Sequence, residues 1–303
     1  MIQRRPIRIA IIGTGNIGTD LCYRMLQDTS FEVVAFAGRR GDSPGLKMFE
    51  NQVKYSIGNG IEGLIPHLNE VEGVFDATSA FDHRKHWEIL SEAGKWVIDL
   101  TPSKIGLPIV PVLMNKTPAI HLQSESSSNY SMVTCGGQSS APLLYALTLA
   151  STGISEVEVS SSIAALSAGP ATRLNIDQYI ESTENLTSIV SGCSNVKAIL
   201  VVNPAEPPVM MRTTVNIAVD TCDISKALQM TAELIKDVQS YVPGYELVVE
   251  PYMLNQKTVS ATVKVTGAGY VLPEYAGNLD IINAAAVETA KLHSNALLDR
   301  VIQ

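Results

Sequence analysis

The chain lacks any apolar run long enough to cross a bilayer, which takes about 20 consecutive apolar residues; glycine, proline or a charge interrupts each run well short of that. A membrane partner is therefore not expected, and the chain reads as soluble. It lacks a basic face as well. Its 22 lysines and arginines stand against 30 aspartates and glutamates, a net charge of −8 with no sizeable Lys/Arg cluster, which excludes a nucleic-acid surface and favours small-molecule chemistry. Cysteine is sparse: Cys22, Cys135, Cys193 and Cys222 have neither the paired spacing of a zinc site nor the density of a disulfide framework, which suits a reducing cytoplasm. There is no internal repeat and no low-complexity stretch. What the chain does have is bulk: 303 residues at 46% hydrophobic composition can fill a large core and point to two domains.

Arg4-Arg5-Pro6 ahead of an apolar stretch has the outline of a signal peptide, but the stretch is short and runs into Gly13-Thr14-Gly15, so residues 7–12 read as a first strand. Residues 16–27 then carry Ile17, Leu21, Met25 and Leu26 at near-helical spacing. Further strands are expected at 31–36, 73–78 and 96–100, with a helix over 86–93 before the last. Buried strands alternating with helices predict a doubly wound parallel sheet. Beyond residue 134 the pattern changes to longer β-prone segments at 155–164, 198–202, 209–219, 247–251 and 258–266, separated by helices near 172–190 and 224–241. These predict a mixed or antiparallel sheet in an α+β unit. The fold class is therefore α/β: a Rossmann sheet over residues 1–134, completed by a long amphipathic helix at 279–303, and an α+β catalytic and dimerisation unit over 135–278.

Gly13-Thr14-Gly15-Asn16-Ile17-Gly18 is a G-x-G-x-x-G turn placed where the motif has physical meaning, after a strand and opening a helix. The first glycine permits the tight turn, the second lets backbone approach a pyrophosphate, and the third lets helix and strand pack closely. Free amides at the helix start then face the phosphates. Where NAD enzymes place an acid against the ribose 2′-hydroxyl, this chain has Gly38-Arg39-Arg40, with no acid before Asp42. Two guanidinium groups there suit a 2′-phosphate, so NADP(H) is expected over NAD(H), although solvated turn arginines would look the same.

Cys135 lies between an apolar segment and a helical stretch at 141–149, with Gly136 and Gly137 keeping the backbone open. A thiol near a helix start has its thiolate stabilised by the dipole and free amides, which would make it a nucleophile near neutral pH. A buried structural cysteine fits the same residues, and is the reading for Cys22, Cys193 and Cys222. His67, His83, His86, His121 and His293 are scattered; His83 and His86 on a helix read as a partly exposed surface pair, with no metal role.

Several blocks, in order along nearly the whole chain, carry a family resemblance: residues 14–21, Phe75-Asp76-Ala77-Thr78-Ser79-Ala80, Val97-Ile98-Asp99-Leu100-Thr101-Pro102, Val133-Thr134-Cys135-Gly136-Gly137-Gln138, Ser167-Ala168-Gly169-Pro170-Ala171-Thr172-Arg173, residues 203–208, and residues 275–281. In these the chain resembles the acylating acetaldehyde dehydrogenases. The resemblance implies a Rossmann domain joined to an α+β domain that catalyses and dimerises, as in semialdehyde dehydrogenases. It also implies interconversion of a short aldehyde and an acyl-CoA, with coenzyme A as co-substrate, through an enzyme-bound thioester. A homodimer and a 4-hydroxy-2-oxovalerate aldolase-type partner follow from the same source. Carried onto this sequence, Cys135 becomes the acyl-bearing nucleophile. Ser167, Ala168, Gly169, Pro170 and Asn175 become nicotinamide-side contacts, and Asn278 an active-site and cofactor contact through its amide. Without the family, both segments are ordinary turns.

The chain departs from that family at three places. Thr213, in Met210-Met211-Arg212-Thr213, stands where the family has an aspartate that helps activate the cysteine, and a threonine is no base at neutral pH. Glu206 is a substitute carboxylate by sequence alone. Ser139-Ser140-Ala141-Pro142 alters the segment after the cysteine, and Arg39 and Arg40 replace the acidic ribose ligand. These changes fit a reductive enzyme using NADPH on an activated acid. Two other readings stay open: an acyl-phosphate reductase, with Arg173 or Arg212 as anion donors, and a non-catalytic dinucleotide-binding homologue.

Overall fold

Within β1 (Ile7–Ile12) successive side chains point to opposite faces, and both faces are covered: Ile9 and Ile11 join one apolar cluster, Ala10 and Ile12 another. A strand buried on both sides belongs in the middle of a sheet between helical layers. The computed structural model, which describes residues 5–114, 116–117, 120–121, 128–169, 172–173 and 175–301, shows this arrangement. Pro170 lies outside the described residues.

β2 (Phe31–Ala37), β3 (Tyr55–Ile57), β4 (Gly73–Asp76), β5 (Trp96–Asp99), β6 (Leu107–Pro108) and β7 (Asn129–Ser131) complete a seven-stranded sheet in the order β3-β2-β1-β4-β5-β7-β6. All its pairings are parallel. The sheet takes α1 (Asn16–Gln27) after β1, α2 (Pro44–Phe49) after β2, α3 (Gly60–Leu64) after β3 and α4 (Ala80–Glu92) after β4. α4 starts six residues earlier than the apolar spacing suggests, because Ser79 caps it: Ser79 Oγ accepts from Asp82 N at 3.2 Å and donates to Asp82 Oδ2 at 2.7 Å.

The chain leaves the parallel sheet through β7 into α5 (Cys135–Leu149). A second, five-stranded sheet follows, built from β9 (Glu156–Ala164), β10 (Val196–Asn203), β11 (Met211–Ala218), β13 (Tyr245–Asn255) and β14 (Thr258–Val265). Its order is β10-β9-β11-β14-β13, with β9 and β10 parallel and the other pairs antiparallel. The short strands β8 (Ser151–Thr152) and β12 (Thr221–Cys222) pair separately. α5, α6 (Ile176–Ser191) and α7 (Ile224–Gln239) cover one face of the five-stranded sheet, and the burial of alternate residues in β9 and β11 follows from that one-sided cover.

α8 (Gly277–Val301) packs on both α5 and α1. It is fastened to α1 by polar contacts: Arg24 Nη2 donates to Asp280 Oδ1 at 2.5 Å, and Asn283 Nδ2 donates to Asp20 Oδ2 at 2.9 Å. One apolar cluster therefore runs from Ile9 in the parallel sheet to Val263 in the mixed one. The fold is the α/β arrangement with an added α+β layer that the sequence pattern predicts. Among the described residues, no helix is long and apolar enough to cross a membrane.

Candidate active site

In a parallel sheet every strand delivers its following loop to the same edge, and the strand order reverses between β1 and β4. The glycine turn sits at that point. Gly13 has φ +109°, and a Cβ there would fall 2.4 Å from Ala77 O, at the end of β4. A Cβ on Gly18 would fall 1.8 Å from Gly13 O, whereas one on Gly15 would meet nothing within 4 Å. Two glycines thus serve close packing and the middle one leaves open space above the backbone. Gly15 is also the N-cap of α1, with no capping side chain and no acid in the first turn, so the helix amides remain for an anion. These residues fit a dinucleotide: Gly13 to Gly15 would hold its pyrophosphate, with Asn16, Ile17 and Gly18 supplying amides.

Thr14 Oγ1 lies 3.0 Å from Ser43 Oγ, and the Thr14 side chain fills the space a Cβ on Gly38 would need. That contact ties the loop after β2 to the glycine turn and puts the exposed Arg39 and Arg40 beside it. Arg40 Nε sits 3.4 Å from Asp42 Oδ1, an exposed pair of little energetic weight that a ligand phosphate could displace.

β7 ends at the same edge and leads to the cysteine. Val133 takes φ +59°, a strained choice for a β-branched residue and of a kind that gathers at functional sites. Thr134 then caps α5, accepting from Gly137 N at 2.9 Å, so Cys135 is the first residue of the helix rather than several residues ahead of it. The cap is itself held from α6: Thr134 Oγ1 lies 2.7 Å from Thr183 Oγ1, which donates to Tyr179 O at 2.8 Å. Contrary to the expectation of an activated thiol, burial pushes Cys135 up to about 11; the Tyr179 hydroxyl and the amides of Gly136 and Cys135 pull it down without overcoming burial.

Cys135 Sγ is 3.8 Å from Tyr179 Oη. Behind it, Thr213 Oγ1 lies 3.0 Å from Ser161 Oγ and 2.7 Å from Ser139 Oγ, and Ser139 Oγ is 3.1 Å from Gly136 O. Thr213 and Ser161 are directly opposed in the β11–β9 register and are almost fully buried. Glu206 is exposed, on the connection that follows the edge strand β10.

Asn278, at the start of α8, is buried, with Oδ1 unpaired among the described residues. An orphaned buried amide oxygen invites a ligand donor such as a carboxamide. The turn at Ala165–Ser167 packs against Glu274–Ala276, immediately before that helix, so the two segments assigned to the nicotinamide side are neighbours. Arg173 is committed to this turn, donating from Nε to Ala168 O at 3.0 Å and from Nη2 to Ala165 O at 3.1 Å. Asn175 precedes α6 as its N-cap. Arg212 points away from the cysteine: it alternates with Thr213 on β11 and lines a cavity of about 390 Å³ on the open face of the mixed sheet, with Ser162, Asn203 and Lys264.

His83 and His86 are not a surface pair. They are 0% and 6% exposed, because α4 lies over the end of β4 and turns both rings onto the buried Asp76. Each Nδ1 is 2.8 Å from Asp76 Oδ2, and His83 Nε2 is 3.0 Å from Asn129 Nδ2 and 3.5 Å from Asp99 Oδ2. Burial would raise Asp76, but the two histidines hold it well below the carboxylate range. Asp99, deeper still, is raised by burial to about 6.

The fold and this edge together define a nicotinamide-dependent oxidoreductase of the semialdehyde dehydrogenase architecture. A family model described as semialdehyde dehydrogenase, NAD binding domain, matches residues 8–105. Aspartate semialdehyde dehydrogenase II of Vibrio cholerae superposes with a TM-score of 0.65 at 15% identity, covering 96% of this chain and 99% of that one. A second family model, described as prokaryotic acetaldehyde dehydrogenase, dimerisation, matches residues 135–273. The acetaldehyde dehydrogenase of Spirochaeta aurantia is 45% identical over 97% of both chains, and that of Pectobacterium atrosepticum is 40% identical over 96% of this chain and 97% of its own. The chain belongs to the acetaldehyde dehydrogenase family of oxidoreductases.

Proposed function

We propose that the protein is an NAD(P)-dependent acylating aldehyde dehydrogenase that interconverts a short aldehyde and an acyl-CoA through a thioester on Cys135. The observation that carries the reading is that Cys135 opens α5 at the sheet edge that also bears the glycine turn. Sulfur and dinucleotide can then meet on one substrate. In the acyl-accepting half-reaction the Cys135 sulfur bonds to the acyl carbonyl carbon, the carbon–sulfur bond to coenzyme A breaks, and the thiol proton passes to the departing CoA sulfur. The amides of Cys135 and Gly136, which face the sulfur, would donate to an oxyanion formed beside it. The nicotinamide, when bound, supplies the hydride that reduces the thioester, or removes it in the reverse direction. Asn278 would accept from the nicotinamide carboxamide N–H at its free Oδ1, or donate from Nδ2 to a substrate oxygen.

Arg39 and Arg40 beside the turn support NADP(H), and hence the reductive direction. A homodimer is supported by the dimerisation model over residues 135–273 and by apolar residues left exposed on the mixed sheet, Val201, Val249, Tyr252 and Leu254 among them. In this organisation residues 1–134 and 279–303 form the dinucleotide half, and residues 135–278 the catalytic and dimerising half. An acyl-phosphate substrate is disfavoured, since Arg173 is spent on backbone carbonyls and Arg212 faces the opposite side of β11. The test is steady-state turnover with aldehydes, with and without CoA, and with acyl-CoA and acyl phosphates in reverse. CoA-dependent turnover supports the proposal. Phosphate-dependent turnover, or none in any combination, refutes it.

A further inference from the structure

We propose that Tyr179 is a catalytic residue whose hydroxyl alternates between accepting from and donating to the Cys135 sulfur, and that Ser161, Thr213 and Ser139 form a reversible hydroxyl relay that sets this direction. The proposal rests on the thioester reading of Cys135 and deepens it.

β9 and β11 bury alternate residues, and on their inward faces the pattern is apolar except at one rung: Val157, Val159 and Ile163 on β9, Met211, Val215 and Ile217 on β11, with Ser161 and Thr213 facing each other between them. Two buried hydroxyls in an apolar face are costly unless bonded. Thr213 is bonded both to Ser161 and to Ser139 in a line of hydroxyls, and Ser161 Oγ and Tyr179 Oη lie together against the backbone of Gly136. A Cβ on Gly136 would fall 2.1 Å from Tyr179 Oη and 3.0 Å from Ser161 Oγ, so a glycine is required for the line to reach the sulfur. Ser161, Thr213 and Ser139 carry it on to the carbonyl of Gly136.

Each hydroxyl has one proton, and the far end is a carbonyl, which only accepts. In one state Ser139 donates to Gly136 O, Thr213 to Ser139, Ser161 to Thr213 and Tyr179 to Ser161, leaving Tyr179 Oη to accept from the Cys135 thiol. In the other state every bond reverses: Tyr179 donates to the sulfur, Ser161 to Tyr179, Thr213 to Ser161 and Ser139 to Thr213. No proton enters or leaves, since only four O–H bonds turn. The line therefore cannot remove the thiol proton as a carboxylate at 213 could, and that proton passes directly to the leaving sulfur. What the line supplies is a donor to the thiolate at the moment it forms. Ser161, Thr213 and Ser139 are positioning residues.

Measuring the rate of Cys135 alkylation by iodoacetamide against pH, by peptide mass, reads the thiolate directly and needs no acyl-CoA. Tyr179→Phe removes the donor and is expected to raise the midpoint by about one pH unit, the size of one hydrogen bond. Thr213→Val is expected to lower it by about half a unit, because Ser161, whose remaining hydroxyl neighbour among the described residues is Tyr179, then donates to Tyr179, which favours the state with Tyr179 donating to sulfur. Thr213→Ser should restore the wild-type midpoint. General loosening of the site would move both variants the same way. An unchanged midpoint in Tyr179→Phe, or a shift of the same sign in Thr213→Val, overturns the relay. Failure of wild type to form an acyl adduct from acyl-CoA would instead remove the thioester reading and leave the alkylation result standing.

Discussion

Gly136→Ala is the substitution on which helix propensity and packing disagree in sign. In a helix alanine is favoured over glycine by about 1 kcal/mol, so propensity alone predicts a more stable protein. The structure predicts the reverse. The new Cβ would lie 2.1 Å from Tyr179 Oη and 3.0 Å from both Tyr179 Cζ and Ser161 Oγ. Tyr179 would have to retreat by about an ångström within a packed interior, and such overpacking costs about 1–3 kcal/mol. The hydrogen bond between Cys135 and Tyr179 is lost with it, worth about 1 kcal/mol. Set against the gain in propensity, the net loss is about 1–3 kcal/mol. At roughly 2–4 °C per kcal/mol the melting temperature should fall by about 2–12 °C. The assay is thermal unfolding of both proteins at one pH, together with the Cys135 alkylation rate, which should change because the sulfur loses its neighbour. A variant as stable as wild type with unaltered alkylation would show that Tyr179 does not sit against the start of α5.

Other outcomes follow from the same geometry. Arg39→Ser with Arg40→Asp should shift the ratio of NADPH to NADH affinity towards NADH by about tenfold or more, and an unmoved ratio contradicts the assignment of that loop to a 2′-phosphate. Thr213→Asp places a carboxylate where it accepts from Ser139 and Ser161, giving the line a terminal base. CoA-dependent aldehyde oxidation should rise by at least about tenfold, within the 10²–10⁴ that general-base help can supply, and unchanged turnover would mean that no base is limiting. The Asp76–His83 contact makes stability depend on pH. Burial alone would lower His83, but the Asp76 hydrogen bond and the charges of Asp99 and Asp76 raise it above its ordinary 6.5. Its contribution is thus complete below that value and is lost as pH rises through the folded-state value, with a slope of at most about 1.4 kcal/mol per pH unit. Urea unfolding from pH 6 to 9 should show this decline in wild type and a flatter profile in His83→Gln; equal slopes would contradict it.

Much of the parallel sheet is legible in the sequence because period and punctuation agree there. Residues 7–12 and 16–27 have strong periodicity with the glycine turn between them, and both elements fall where that pattern puts them. The start of α5 is not legible, since Gly136-Gly137-Gln138-Ser139-Ser140 has the composition of a loop and Pro142, a helix-disfavouring residue, lies inside the helix. Burial against α6, α7 and α8 holds the helix despite its propensity. The burial of His83 and His86 is not legible for a related reason. Little of α4 is apolar, and its buried side is built largely from imidazoles whose partner, Asp76, ends β4. Ser79 three residues before Asp82 was the available sign that the helix starts earlier. Tyr179 could not be found from the sequence, because its approach to Cys135 depends on how α6 docks. Ser161 and Thr213 did leave a trace: polar residues at inward positions of otherwise alternating strands, whose cross-strand register only the fold supplies.

The central claim is that Cys135 carries the acyl group. It is tested most directly by intact-mass analysis of wild type and Cys135→Ala after exposure to a panel of short acyl-CoAs, followed by addition of NADPH or NADH. The account predicts an acyl adduct on wild type alone, discharged on adding reduced nicotinamide with release of the aldehyde. An adduct that persists in Cys135→Ala, or a wild-type protein that no acyl-CoA modifies, would contradict it.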